Sequence, residues 1–171
     1  MRIFLIGFMG SGKTHWGKIW AEKYKYDFFD LDEQVERREQ RTIVEIFEKS
    51  GEDIFRLMET KMLRDLSRNE HCIISCGGGT PCFHDNMQWM NEKGSTVYLS
   101  APAGYLFENI VKEKDQRPLV KTVNEAELLF FTEQKLKQRL PFYEKANIIL
   151  PVEELSEESF EKILAILPKS S

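Results

Sequence analysis

Residues 7–14 read GFMGSGKT and follow directly on the apolar run RIFLI at 2–6. The pattern G-x-x-x-x-G-K-[ST] allows few folds. It has to join the end of a buried strand to the start of a helix. Only there do successive backbone N–H groups and the positive helix end converge on one anion. The glycines permit the backbone angles that turn those N–H groups inward. Phosphates are therefore expected on Gly10, Ser11, Gly12, Lys13 and Thr14. Lys13 reaches the β- and γ-phosphates as a flexible point charge, and Thr14 offers a hydroxyl to Mg²⁺. The plainer alternative is a glycine-rich turn with no ligand. The strand before the loop and the helix after it favour a nucleotide.

The rest of the chain continues in the same rhythm. A helix is predicted from Lys13, then a strand at 26–30 (YDFFD). Asp30 with Glu33 three residues later marks a helix start running to about Arg38, and Thr42 with Glu45 marks another. Gly51 breaks that helix, and a longer one covers 52–67, with Ile54, Phe55, Met58, Met62, Leu63 and Leu66 at helical spacing. Strands follow at 71–76 and 96–100, with a helix near Pro102. A helix is predicted over 125–140, a short strand over 147–150 and an amphipathic helix over 157–167. Alternating strands and helices imply an α/β layered domain, three layers deep, with a five-stranded parallel sheet. No repeat or linker interrupts it, so residues 1–171 read as one domain. Residues 112–123, polar and charged around Pro118, read as a mobile lid.

Composition narrows the function classes. A net charge of −4 does not indicate a broad nucleic-acid-binding face. No apolar run approaches the ~20 residues that cross a bilayer. Cys72, Cys76 and Cys82 form no C-x-x-C pair and match no histidine spacing, so a zinc site is not expected. An odd count without a secretory leader suggests reduced thiols and a cytoplasmic setting. A monomer is expected.

Candidate phosphate acceptor groups lie downstream. Asp30 and Asp32 end the second strand, at the edge where open α/β sheets gather ligands. One carboxylate suits a metal and the other a hydroxyl. Taken alone, Asp30 reads as a helix cap and Asp32 as a solvated first-turn acid. Arg56 stands three residues before Glu59, which alone reads as a surface ion pair worth under ~1 kcal/mol. Gly77, Gly78 and Gly79 strip the end of the third strand of side chains, which suits backbone lying against a ligand. Arg117 and Arg139 each read, alone, as solvated charges.

Together, GFMGSGKT, DLD, GEDIFRLME, CGGGTP, RPL and RLPFY resemble the shikimate kinases, members of the nucleoside-monophosphate-kinase-like P-loop family. The resemblance spans residues 2–150. The combination of FR-x-x-E, GGG and RPL is far more selective than the phosphate loop, which many families share. It implies transfer of the γ-phosphate of ATP to the 3-hydroxyl of shikimate, giving shikimate 3-phosphate in aromatic amino acid (chorismate) biosynthesis. It implies that Asp30 holds Mg²⁺ through water. Asp32 binds the shikimate hydroxyls and orients or deprotonates the attacking one. Arg56 and Arg139 clamp the carboxylate, Gly78 and Gly79 present backbone N–H groups, and Arg117 touches the transferring phosphate. The residue chemistry agrees. A carboxylate suits a planar arginine fork, and hydroxyls suit an aspartate.

Three places depart from the family pattern. His15 and Trp16 replace small or β-branched residues, and the helix surface is their expected place. Gln40 replaces a glycine. Ile110 stands where the family has an arginine that packs on adenine. The alternatives are a related small-molecule kinase, such as a gluconate kinase or a nucleoside-monophosphate kinase, and a non-catalytic nucleotide-responsive module. The last is disfavoured by the retention of Lys13, Thr14, both aspartates and three arginines.

Overall fold

A computed structural model describes residues 1–113 and 124–167. Arg117 and most of the expected lid therefore lie outside the described residues. The strands are β1 (Arg2–Ile6), β2 (Asp27–Asp30), β3 (Cys72–Ser75), β4 (Ser95–Ser100) and β5 (Ile148–Pro151). All neighbours pair in parallel, in the order β2-β3-β1-β4-β5. β1 is central, and Ile3, Phe4, Leu5 and Ile6 have no exposed surface. That is why its sequence is continuously apolar rather than alternating.

The helices are α1 (Lys13–Tyr24), α2 (Leu31–Glu39), α3 (Ile43–Leu66), α4 (Asn86–Lys93), α5 (Ala103–Lys112), α6 (Glu125–Tyr143) and α7 (Ser159–Ile166). They cover both faces of the sheet. Leu5 meets α1 at Gly17, where an added Cβ would stand 3.0 Å from Leu5 Cδ1. Its neighbour Phe4 packs edge-on against Trp89 of α4. Successive strand residues point to opposite faces, so α1 and α4 lie on opposite sides.

Local signals account for most boundaries. Thr42 and Glu45 close a reciprocal capping box on α3. At α2 only half of that device forms: Asp30 accepts from the N–H groups of Asp32 and Glu33, while Glu33 turns to Lys18 and Arg37. α3 is two helical segments joined at Gly51, whose φ of 81° and ψ of 169° interrupt the helix. Gln40 caps the C-terminal end of α2 at φ 51°. The left-handed turn that a glycine makes easily is thus retained by a residue with a Cβ.

Two elements differ from the sequence reading. α4 was not expected. It is preceded by Asp85 at φ 54° with no side-chain cap, so no start signal marks it. α6 runs past Leu140 to Tyr143, taking Pro141 into its last turn. This places Arg139 and Tyr143 one turn apart on the same side.

Candidate functional site

Three strand ends build the floor of the site. Ser75 on β3 pairs in register with both Leu5 on β1 and Asp30 on β2. The phosphate loop, the Asp30–Asp32 segment and the three glycines therefore emerge side by side from the C-terminal edge of the sheet. The loop, Asp30, Asp32, Gly77 and Gly78 line a cleft of about 370 Å³, with Tyr105, Asn109 and Glu113 from α5 and its C-terminal end.

The loop has the backbone the motif requires. Gly7, Gly10 and Gly12 adopt φ of 145°, 82° and 90°. At Gly10 a side chain would be crowded as well as strained, because an added Cβ would stand 3.1 Å from the carbonyl oxygen of Leu106. Asn109 donates to the Gly10 carbonyl at 2.9 Å, fixing the loop to α5. Lys13 Nζ donates to the carbonyls of Gly7 and Phe8, each at 2.9 Å. Ser11 Oγ is buried with no hydrogen-bond partner among the described residues.

Thr14 Oγ1 donates to Asp30 Oδ2 at 2.7 Å and lies 3.3 Å from Ser75 Oγ. Asp30 thus serves two purposes. Oδ1 caps α2, and Oδ2 faces the loop hydroxyl. Hard oxygen donors of this kind suit Mg²⁺, so the residues present fit the metal implied by the motif.

Asp32 is not the solvated acid that its sequence position alone suggests. Its Oδ1 is buried and has no hydrogen-bond partner among the described residues. Burial first, then the nearby carboxylates of Glu59 and Asp30, push its pKa to about 7, against the pull of Lys13 and Arg56. A carboxyl on a residue that lines the cleft, with no protein hydrogen bond to its buried Oδ1, has the chemistry to accept a hydrogen bond from a ligand hydroxyl.

Arg56 corrects a second expectation. Its pair with Glu59 is interior, at 2.9 Å, with side-chain exposures of 8% and 0%. Glu59 also accepts from Thr80 Oγ1 at 2.5 Å. Burial opposes the charge on Arg56, but Glu59 and Glu52 outweigh it and hold the pKa above the ordinary value. Arg56 lies over the Phe83 ring at 4.6 Å.

The glycine triplet makes room for these groups. A Cβ on Gly77 would stand 2.6 Å from Glu59 Oε1, one on Gly78 2.9 Å from Arg139 Nη1, and one on Gly79 2.5 Å from Arg56 Nη2. The triplet was expected to clear space for a ligand. It also lets two arginines reach adjacent backbone positions. Arg139 lies over Phe8 of the phosphate loop at 5.1 Å. Tyr143 Oη donates to the Gly78 carbonyl at 2.5 Å, and burial raises its pKa, keeping it a donor.

The structure thus brings together Gly10, Ser11, Gly12, Lys13, Thr14, Asp30, Asp32, Arg56, Gly78, Gly79 and Arg139. Sequence reasoning missed the parts played by Ser75, Thr80, Asn109 and Tyr143: Thr80 and Tyr143 sit inside the CGGGTP and RLPFY motifs without a role read for them, and Ser75 and Asn109 lie in no motif. Ile110 is fully buried in α5, so this position supplies core rather than a wall for a base. Trp16 is not an open surface residue. It is half-buried and lines the cleft, as does the exposed His15.

The shikimate kinase family model matches residues 9–168. A shikimate kinase from Phocaeicola vulgatus is 43% identical over 157 residues, 92% of this chain and 90% of the relative. The crystal structure of shikimate kinase from Bacteroides thetaiotaomicron superposes with a TM-score of 0.92 at 39% identity, covering 96% of this chain and 98% of that one. The shikimate kinase from Acinetobacter baumannii in complex with shikimate gives a TM-score of 0.83 at 33% identity, covering 96% and 91%.

Proposed function

The chain belongs to the shikimate kinase family, and from that premise we propose how its residues divide the work. The enzyme uses ATP to phosphorylate shikimate. The reading assigned to its residues is transfer of the γ-phosphate to the 3-hydroxyl.

One observation carries the assignment. Asp32, whose Oδ1 is buried without a partner among the described residues, lines the same cleft as the phosphate loop, and two arginines converge on the adjacent glycines. A carboxylated polyol has the matching chemistry. Arg56 and Arg139 take its carboxylate as charge-assisted donors. Asp32 accepts the proton of the attacking hydroxyl. Gly78 and Gly79 offer backbone N–H groups, and Tyr143 fixes the Gly78 peptide from behind. Glu59 holds Arg56 in place through its hydrogen bond.

The nucleotide phosphates lie on Gly10, Ser11, Gly12 and Lys13. Thr14 and Asp30 would hold Mg²⁺, which neutralises phosphate charge when bound. Little covalent chemistry remains for the protein beyond positioning and charge compensation. Arg117 is proposed on the resemblance alone to bring positive charge to the transferring phosphate, with 112–123 as the lid of a single domain. In the described part, α5 ends at Lys112, close to Asn109 and Glu113 on the cleft wall. A monomer in the cytoplasm completes the proposal. The unpaired Cys72, Cys76 and Cys82 support the latter, and no helix among the described residues is long and apolar enough to cross a membrane.

A coupled ADP-release assay over shikimate, gluconate and nucleoside monophosphates tests the reading. Release with shikimate only is expected. Turnover of gluconate or a nucleoside monophosphate in its place overturns it.

A further inference from the structure

We propose that Trp16 is the platform on which the base of the bound nucleotide stacks. The proposal rests on the reading of the cleft as the ATP site. A nucleotide whose phosphates lie on the loop must carry its base out of the cleft along a wall. The family's wall residue is absent, because Ile110 is turned fully into the core. Trp16, on α1, lines the cleft. Its ring edge lies against the last loop glycine, where a Cβ on Gly12 would be 3.1 Å from Trp16 Cδ1 and 3.5 Å from Nε1. That is one helical turn beyond the phosphate-binding N–H groups of α1.

The indole is held rigidly. It stacks on Trp20 with ring centres 5.9 Å apart and planes 30° apart. Trp20 has no exposed surface, donates from Nε1 to the Ser156 carbonyl at 2.9 Å, and stacks in turn on Phe160 at 5.7 Å. His15 meets the Trp16 ring edge-on at 5.3 Å. A half-buried indole backed by Trp20, which Phe160 backs in turn, lines the cleft with little conformational freedom left to lose. Stacking of a base on such a ring is tolerant of base identity. Tyr105, Asn109 and Glu113 line the same cleft.

The test compares ligands that share phosphates but differ in the base. ADP and inorganic tripolyphosphate, each with Mg²⁺, are titrated calorimetrically into the parent chain, Trp16→Leu and Trp16→Phe. Trp16→Leu should weaken ADP on the order of tenfold and tripolyphosphate by less than twofold, with Trp16→Phe recovering most of the ADP affinity. In the parent, ADP but not tripolyphosphate should quench tryptophan fluorescence, and Trp16→Phe should abolish that quench. Equal losses for both ligands in Trp16→Leu, or an ADP quench that survives in Trp16→Phe, overturns the assignment. A parent chain that releases no ADP with shikimate overturns the functional reading instead. The two failures are therefore distinct.

Discussion

Arg56 Nη1 donates to Glu59 Oε2 at 2.9 Å, and Glu59 is wholly withdrawn from solvent. Such a pair behaves unlike one in water. Its net contribution is small while both partners are present. Removing one leaves the other buried and uncompensated. Glu59 is further committed to Thr80, so its loss strands a hydroxyl as well.

Glu59→Ala should therefore cost about 3–5 kcal/mol of folding stability, the usual scale for breaking a buried pair. Urea denaturation measures it. A loss under 1 kcal/mol, the scale of exposed pairs, would show that the interior pair is energetically a surface one.

Asp32 gives a pH dependence with a definite sign. Its pKa of about 7 in the folded chain lies above the unfolded value near 3.8. The native state therefore binds the extra proton between these limits. The stabilisation from the neutral form is complete below the unfolded pKa and is lost as pH rises through about 7. Asp32→Asn cannot titrate. In metal-free buffer, the stability of the parent relative to Asp32→Asn should fall from pH 5 to pH 8, with a slope of at most about 1.4 kcal/mol per pH unit. A difference flat across that range contradicts the buried, carboxylate-crowded setting.

Asp32→Asn should also depress kcat by on the order of 10² or more, because it removes a positioned proton acceptor. Steady-state kinetics separates the roles. A higher KM for shikimate at unchanged kcat would mean that Asp32 only binds.

Arg56→Ala and Arg139→Ala should each weaken shikimate by about 1.5–3 kcal/mol, the range for a hydrogen bond to a charged group, and leave ATP nearly unaffected. Titration of each ligand checks this. Shikimate affinities matching the parent would place the carboxylate elsewhere.

Gly79→Ala tests the same clamp without removing a charge. Its Cβ would stand 2.5 Å from Arg56 Nη2, so the guanidinium has to move. Shikimate affinity should fall at least tenfold while ATP affinity holds. An Ala variant that binds shikimate like the parent would show that Arg56 is free to shift without consequence.

Some of this molecule is legible in the chain because it depends on neighbours in sequence. The phosphate loop is one such case: each glycine at a left-handed or extreme φ, the strand before it and the helix after it lie within a few residues. The burial of β1 follows from RIFLI, and the cap of α3 from Thr42 and Glu45. Other properties depend on distance across the fold. Whether Arg56 and Glu59 face water, whether Asp32 keeps its charge, and whether Ile110 meets core or base are settled by what packs over them from other strands and helices. β2 and β3 come together beside β1 only through parallel register, and that register sets Asp30, Ser75 and the loop on one line. Burial changes the dielectric around a charge, and no residue carries its dielectric in its own letter. The residue types and their order were therefore determined by the sequence, whereas the pKa of Asp32, the interior pair and the indole wall were decided by tertiary packing.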